Sequence, residues 1–347
     1  MSYDAFLLVS FGGPEGPDDV LPFLRNVTRG RGVPEERLAV VAEHYRHFGG
    51  VSPINAQCRE LLAAIRSEFA VAGVGLPAYW GNRNWHPMLA DTVAAMRDAG
   101  VRRAIAFVTS PYGSYSSCRQ YLDDIAAARA AVGPGAPEID KIGQFHNHPG
   151  YVQPHADAVR AALTVLRERA EPAALRDPAR ARLVFTAHSI PSTMDVTSGP
   201  AGGRYTAQLR ETAALVAAAA APGLAWDLVW QSRSGAVHVP WLEPDINDHL
   251  EALAAAGVTG VVVSPIGFVS DHLEVVWDLD NEAAATARKL GLSFVRAATP
   301  GTDPRFVTMI RELVVTEAVT TEETCPATCC PARRRGATPI GEDGQHE

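Results

Sequence analysis

Several features are scarce or missing in this chain of 347 residues, and each absence excludes something. No run of about 18 uncharged apolar residues occurs, so no membrane-spanning helix is expected. The opening residues Met1-Ser2-Tyr3-Asp4 lack a basic stretch followed by an apolar one, so no secretory signal is read and cytoplasmic residence is expected. Cysteine is sparse and odd in number, five in all, which argues against a disulfide framework. Excess positive charge is missing too. The net charge is -8 and the pI about 5.8, so non-specific nucleic-acid binding is disfavoured, and an anionic substrate would need a local basic pocket. The paired glycines Gly12-Gly13 belong to neither a Gly-x-Gly-x-x-Gly fingerprint nor a Walker loop.

What is present is ordinary globular composition, 47% hydrophobic and 20% charged, which excludes disorder for most of the chain. At about 150 residues per domain the length allows two domains or one large α/β unit. Candidate strands lie at 5–11, 76–80, 103–109, 139–145, 182–188, 227–231, 260–266 and 293–296, most of them continuous apolar runs as expected for strands covered on both faces. Helical patterns occupy 55–72, 87–99, 115–132, 151–169, 205–221, 242–256, 272–290 and 304–319. Strand–helix alternation of this kind predicts parallel sheets with helices on both faces.

The two halves echo each other. Trp80-Gly81-Asn82-Arg83-Asn84 resembles Trp230-Gln231-Ser232-Arg233-Ser234, and Ser110-Pro111-Tyr112-Gly113 resembles Ser264-Pro265-Ile266-Gly267. The expected fold is therefore α/β: two Rossmann-like units with parallel four-stranded sheets flanked by helices, and an active cleft between them. The expected boundaries are 1–145, 146–319, and a cysteine-bearing tail at 320–347 whose end is disordered. Ligands of open α/β sheets bind beyond the strand C-termini, so those ends are where chemistry is expected.

Four groups of residues stand out. His188, in Thr186-Ala187-His188-Ser189-Ile190-Pro191, closes a buried-type strand. An imidazole there suits proton abstraction near neutrality, and suits equally a structural hydrogen bond to a loop carbonyl. Glu274, Asp278 and Glu282 fall at i, i+4 and i+8, one acidic stripe on an α-helix. Aimed into a cleft it would pass a divalent cation along oxygen ligands; aimed at water it is a solvated face with Leu273, Val276 and Trp277 buried opposite. Arg29 and Arg31, in the glycine-rich stretch 26–32, suit carboxylates or phosphates on a substrate or form a solvated loop. Cys325, Cys329 and Cys330 lie within six residues. Adjacent cysteines fit a zinc site poorly, and a 2Fe-2S cluster needs a fourth thiolate from the body, for which Cys118 is a better donor than Cys58 in its helix. Cluster, zinc and free thiols all stay open on spacing.

The strings Ser10-Phe11-Gly12-Gly13-Pro14, Phe48-Gly49-Gly50-Val51-Ser52-Pro53-Ile54, Thr186 to Pro191, and Pro265-Ile266-Gly267-Phe268-Val269-Ser270-Asp271-His272-Leu273-Glu274 together resemble the ferrochelatase family. The resemblance spans roughly residues 5–315, and the tail cysteines resemble the actinobacterial branch that carries a 2Fe-2S cluster. It implies insertion of ferrous iron into a porphyrin, coproporphyrin III for preference, in haem biosynthesis. It implies His188 and Glu274 as the catalytic and metal-contacting pair, and Asp278 and Glu282 as further metal-route residues. It implies Phe11, Arg29, Arg31, Ser52, Arg83 and Asn84 as the porphyrin surface, and Cys118, Cys325, Cys329 and Cys330 as cluster ligands. Phe11 stands where some bacterial relatives have tyrosine, so no tyrosine–iron contact is carried over. The alternatives are a protoporphyrin IX ferrochelatase, a cobalt or nickel tetrapyrrole chelatase, and a non-enzymatic haem or metal carrier. A monomer without nucleic-acid partners is expected.

Overall fold

A computed structural model of the chain describes residues 2–30, 32–169, 180–234, 238–321, 324–326 and 328–332. The strands are β1 (Ala5–Ser10), β2 (Ala78–Asn82), β3 (Arg103–Val108), β4 (Glu138–Lys141), β5 (Ala181–His188), β6 (Trp226–Gln231), β7 (Gly260–Ser264) and β8 (Ser293–Arg296). The α-helices are α1 (Val20–Val27), α2 (Glu35–His47), α3 (Ile54–Val71), α4 (Leu89–Asp98), α5 (Gln120–Val132), α6 (Pro149–Arg169), α7 (Ser192–Val196), α8 (Arg204–Ala220), α9 (Ile246–Ala255), α10 (Leu273–Val275), α11 (Ala284–Lys289) and α12 (Pro304–Val315).

The strands form two parallel four-stranded sheets of identical order, β2-β1-β3-β4 and β6-β5-β7-β8. The internal echo of the sequence is thus an echo of topology. Alternate residues of β1 serve two packing layers. Phe6 and Leu8 face one layer, and Ala5, Leu7 and Val9 face another against α4 and α5. The second sheet does the same: Leu183, Phe185 and Val262 face one side, and Val184, Val261 and Val263 face α9 and α11 on the other. This two-sided burial is why the strands read as unbroken apolar runs. One apolar layer contains residues of both sheets together with Tyr112, Tyr151, Tyr205 and Phe306, so the two halves share a core.

Several elements differ from the sequence pattern, each for a local reason. The strand expected over 260–266 stops at Ser264 because Pro265 has no N–H to continue the ladder. The helix expected from 242 begins at Ile246, where the Asp245 carboxylate accepts from the Asn247 N–H as an N-cap. Helices α1 and α2 are additional to the expected set. Pro22 sits in the first turn of α1, where a missing N–H costs nothing, and α2 buries only Leu38, Ala42 and Tyr45. The stretch 26–32 is consequently not all loop: Asn26 and Val27 close α1.

Both sheets reverse direction between their two central strands. In the second sheet the chain leaves β5 to form β6 on one side and returns as β7 on the other. The turns leaving β5 and β7 therefore flank the crevice that opens wherever an α/β sheet switches direction. Those turns carry His188 and the segment leading to Glu274.

Candidate functional site

His188 is the last residue of β5, and Glu274 lies in α10, one short turn beyond the loop that follows β7. Their side chains meet with 3.7 Å between Nε2 and a carboxylate oxygen, and remain 32% and 44% exposed respectively. The other imidazole nitrogen, Nδ1, lies 2.5 Å from the carbonyl oxygen of Ser189. A carbonyl can only accept, so Nδ1 carries a hydrogen, and Nε2 is the nitrogen turned toward Glu274. The structural hydrogen bond and the basic nitrogen, which looked like competing readings in the sequence, coexist on one ring.

The turn before Glu274 is held from several directions. The Asp271 N–H donates to Gln57 of α3 at 2.8 Å, a contact from the first half of the chain. The Asp271 carboxylate is gripped by Arg296 through two hydrogen bonds of 3.1 and 3.0 Å. Gly267 allows the closest approach. A Cβ added there would stand 2.7 Å from the Ala187 Cβ, so only glycine lets this turn lie flat on the end of β5. Burial pushes the His272 imidazole, between these residues, below its ordinary pKa, with the neighbouring Glu274 acting in the opposite sense.

The acidic stripe is arranged differently from an α-helical i, i+4, i+8 row. Residues Val276–Ala283 form a π-helix, a wider turn with i→i+5 bonding. Its buried face is Leu279 and Ala283, continuing Leu273 and Val275 of α10. Val276 and Trp277 are not in that face, contrary to the sequence pattern. Trp277 instead stacks on His44 of α2 at 3.9 Å between ring centres, and its Nε1 donates to Glu282 at 2.9 Å. Asp278 is largely enclosed and accepts from the Ser232 hydroxyl. Its carboxyl is pushed up to about 7, first by desolvation and then by the fields of Glu274, Glu282 and Asp245, with the Ser232 bond opposing. Among the described residues no group of three or more His, Cys, Asp or Glu side chains is arranged to hold a metal ion.

The first-half residues expected at the porphyrin surface differ in exposure. Phe11 follows β1, and Gly12 takes φ +83° as the chain presses against Asn82. Phe11 meets Phe23 edge-on at 6.3 Å. Arg83 lies 5.7 Å from the centre of the Phe11 ring and 4.5 Å from that of Tyr121, and its guanidinium pairs with Asp124 at 2.5 Å. With 6% of its side chain exposed, Arg83 braces Phe11 from within the fold. Asn84 donates its backbone N–H to the Phe11 carbonyl at 3.1 Å, while its buried side-chain nitrogen has no hydrogen-bond partner among the described residues. Ser52 is buried and its N–H donates to Pro14 O at 2.8 Å. Arg29 is exposed just beyond α1, and Arg31 lies outside the described residues.

The cysteines separate into two classes. Cys58 is buried in α3, and burial raises its thiol to about 11. The other four are neighbours. Cys118 and Cys325 act on one another, Cys325 raising the Cys118 thiol and Cys118 lowering that of Cys325, with Cys329 acting on Cys325 in the opposite sense. The sulfurs of Cys329 and Cys330 are 3.5 Å apart. Gln144 Nε2 donates to Cys118 at 2.9 Å, and the Gly199 N–H donates to Cys330 at 3.1 Å. Sequence spacing did not identify Gln144 or Gly199, whose only signal is spatial.

Known proteins were compared with this chain and structure. A family model described as Ferrochelatase matches residues 3–318. A protein of Nocardia farcinica named coproporphyrin III ferrochelatase is 59% identical over 318 residues, covering 90% of this chain and 88% of its own. One of Streptomyces griseus with the same name is 50% identical over 372 aligned positions, covering 99% of this chain and 97% of its own. Among solved structures, SirB from Bacillus subtilis with Fe3+ superposes with a TM-score of 0.53 at 11% identity, covering 91% of this chain and 99% of that one. DR2241 from Deinococcus radiodurans, described as having structural similarity to chelatases, gives 0.50 at 15% identity, covering 92% of this chain and 56% of that one. At such identities the two structures speak for the fold alone.

Proposed function

The chain belongs to the ferrochelatase family, and on that premise we propose that it inserts ferrous iron into coproporphyrin III, with His188 and Glu274 as the reacting pair. The observation that carries this reading is the 3.7 Å approach of an imidazole nitrogen and a carboxylate, delivered by two different strand ends at a sheet switch point and both open to solvent. The relatives' names support the choice of porphyrin.

The reaction exchanges one Fe²⁺ for the two pyrrole N–H protons, with no change in oxidation state. His188 Nε2 takes the two pyrrole protons one after the other, each passed on before the next, because its Nδ1 is committed as donor to Ser189. The imidazolium so formed faces the Glu274 carboxylate, which stabilises the charge and offers an exit for the proton. Glu274, Asp278 and Glu282 supply oxygen atoms to replace the hydration shell of the arriving iron in stages, and oxygen with imidazole nitrogen suits a divalent first-row cation. Phe11, Ser52 and Asn84 bound the ring side of the cleft. Arg29 and Arg31 meet the carboxylates of a tetra-anionic porphyrin. Contact with the ring faces and its carboxylates offsets the cost of distorting the macrocycle so that its nitrogens point toward the metal.

The tail thiols support a 2Fe-2S cluster held by Cys118, Cys325, Cys329 and Cys330. What supports this reading is the 3.5 Å approach of the Cys329 and Cys330 sulfurs and two N–H donors, Gln144 to Cys118 and Gly199 to Cys330. Among the described residues the four thiols are not arranged as a closed metal-holding group. Those four cysteines would hold the group and so tie the tail to the body, and the group would supply one-electron chemistry. Protein prepared without oxygen and supplied with iron and sulfide is expected to be brown, and to lose its visible absorption and acid-labile sulfide in Cys118→Ser. A colourless wild-type protein under those conditions would refute the cluster.

The deciding experiment for the main reading is a competition for ferrous iron between coproporphyrin III and protoporphyrin IX. Coproporphyrin is expected to win in kcat/KM. Preference for protoporphyrin would refute the substrate, and absence of turnover with either would refute the reaction.

A further inference from the structure

Three buried tyrosines meet behind the two turns that carry the reacting pair. Tyr112 follows β3, Tyr151 lies in α6 and Tyr205 in α8, and each is at most 5% exposed. Tyr112 stands 6.5 Å from Tyr151 and 6.1 Å from Tyr205 between ring centres, in edge-on contacts. Their hydroxyls converge on the backbone. Tyr112 and Tyr151 both donate to the carbonyl of Ile266, each at 2.7 Å, and Tyr205 donates to the carbonyl of His188 at 2.9 Å. Ile266 belongs to the turn that leads to Glu274. The next residue, Gly267, donates its N–H to Thr186 O at 3.1 Å, two residues before His188.

We propose that Tyr112, Tyr151 and Tyr205 are positioning residues for metallation: through the carbonyls of Ile266 and His188 they set the spacing between the His188 imidazole and the Glu274 carboxylate. The inference rests on the proposed roles of His188 and Glu274 and adds the groups that hold them in place.

The chemistry is specific. A backbone carbonyl has two lone pairs, and Ile266 uses both on tyrosine hydroxyls. Loss of one donor leaves the carbonyl satisfied, whereas loss of both strands a buried acceptor, which the turn can relieve only by shifting. The two tyrosines lie on different elements, one in each half of the chain, so a shift would move the Glu274 turn against β5. Tyr205 acts separately, on the residue that bears the base. None of the three has a hydroxyl free to reach a substrate.

The test replaces tyrosine with phenylalanine, which removes a single oxygen atom and keeps the ring packing. Tyr112→Phe and Tyr151→Phe, made singly, are expected to keep kcat within about twofold, while the double variant loses about tenfold or more. Porphyrin affinity, read by fluorescence, is expected to stay within about twofold throughout, because no ring-contacting group is altered. Tyr205→Phe is expected to lower kcat in the same way and to shift the NMR titration of the His188 ring in the resting protein.

A double variant with wild-type kcat would overturn the inference. So would one whose kcat and porphyrin affinity fall together, since that is general loosening. If the double variant does not fold, Tyr205→Phe decides by the same readouts, acting at a separate carbonyl. If the wild-type chain metallates no porphyrin, the proposed reaction fails; the His188 titration in Tyr205→Phe then still reports whether the tyrosine positions that ring.

Discussion

Replacing Gly267 by alanine tests whether the fit between two turns governs the chemistry. The added methyl would stand 2.7 Å from the Ala187 Cβ and 2.8 Å from its Cα. Ordinary contact begins at 3.4 Å, so the 265–268 turn must retreat by about 0.7 Å. The backbone at 267 is not in the left-handed region, so the effect is one of space and not of conformation. Overpacking of this kind costs about 1–3 kcal/mol. The lost flexibility of the unfolded chain offsets about 0.4–1 kcal/mol of that. A net cost of about 0.5–2 kcal/mol lowers the melting temperature of a chain this long by roughly 1–3 °C. The catalytic effect should be larger, because the displaced turn leads directly to Glu274, and a misplacement near 1 Å costs up to about 100-fold in rate. The expectation is a folded variant with kcat reduced about 10- to 100-fold and porphyrin affinity nearly unchanged. Gly75→Ala, exposed and with nothing within 4 Å of the added methyl, is the control and should match the wild type. Steady-state metallation, fluorescence binding and thermal melts suffice. A stable Gly267→Ala protein with wild-type kcat would show that the spacing of the pair does not limit the reaction.

Other outcomes follow from the same site. His188→Ala is expected to lower kcat by about 10²–10⁴ while porphyrin still binds, as measured by single-turnover metallation and fluorescence titration. Asp278 makes a pH-dependent contribution to stability whose sign can be worked out. Its folded pKa, about 7, lies above its ordinary value of 3.8, so the folded state prefers the protonated form. Stability is lost as pH rises from about 4 through 7. Asp278→Asn should therefore melt higher than wild type at pH 8, with the gap narrowing toward pH 5; a gap that widens on acidification would contradict this. Arg83→Met would leave Asp124 without its partner. Because the Asp124 side chain is one-third exposed, the loss is discounted to about 1–3 kcal/mol, to be checked by denaturant unfolding. The same variant should raise KM for porphyrin by loosening Phe11.

Much of this molecule was legible in the sequence. Burial on both faces forces continuous apolar runs, so the central strands β1, β3, β5 and β7 could be located directly, whereas the edge strand β4, Glu138-Ile139-Asp140-Lys141, carries no such run. The repetition of Trp80-Gly81-Asn82 near Trp230-Gln231-Ser232 foreshadowed two sheets of the same order. His188 and Glu274 stood out because a polar side chain ending an apolar strand, or opening the next turn, has few structural reasons to be there. The illegible parts are those in which distant segments decide the outcome. An α-helical period placed Val276 and Trp277 with the core, but a π-turn re-aims them, and the stacking partner of Trp277, His44, lies in a helix whose own period is weak. Arg83 looked like a surface donor until its neighbours, Asp124, Tyr121 and Phe11, were known.

The chain's local patterns determined its elements and its class, because hydrophobic periodicity and turn residues act over a few positions, and they marked His188 and Glu274 as candidates. Distance was left to the tertiary structure. That an imidazole ending β5 stands 3.7 Å from a carboxylate beyond β7 depends on strand register, on a glycine flat against Ala187 and on tyrosine hydroxyls from three separate elements. None of those separations is encoded by neighbours in sequence. They arise only when the two halves close on a shared core.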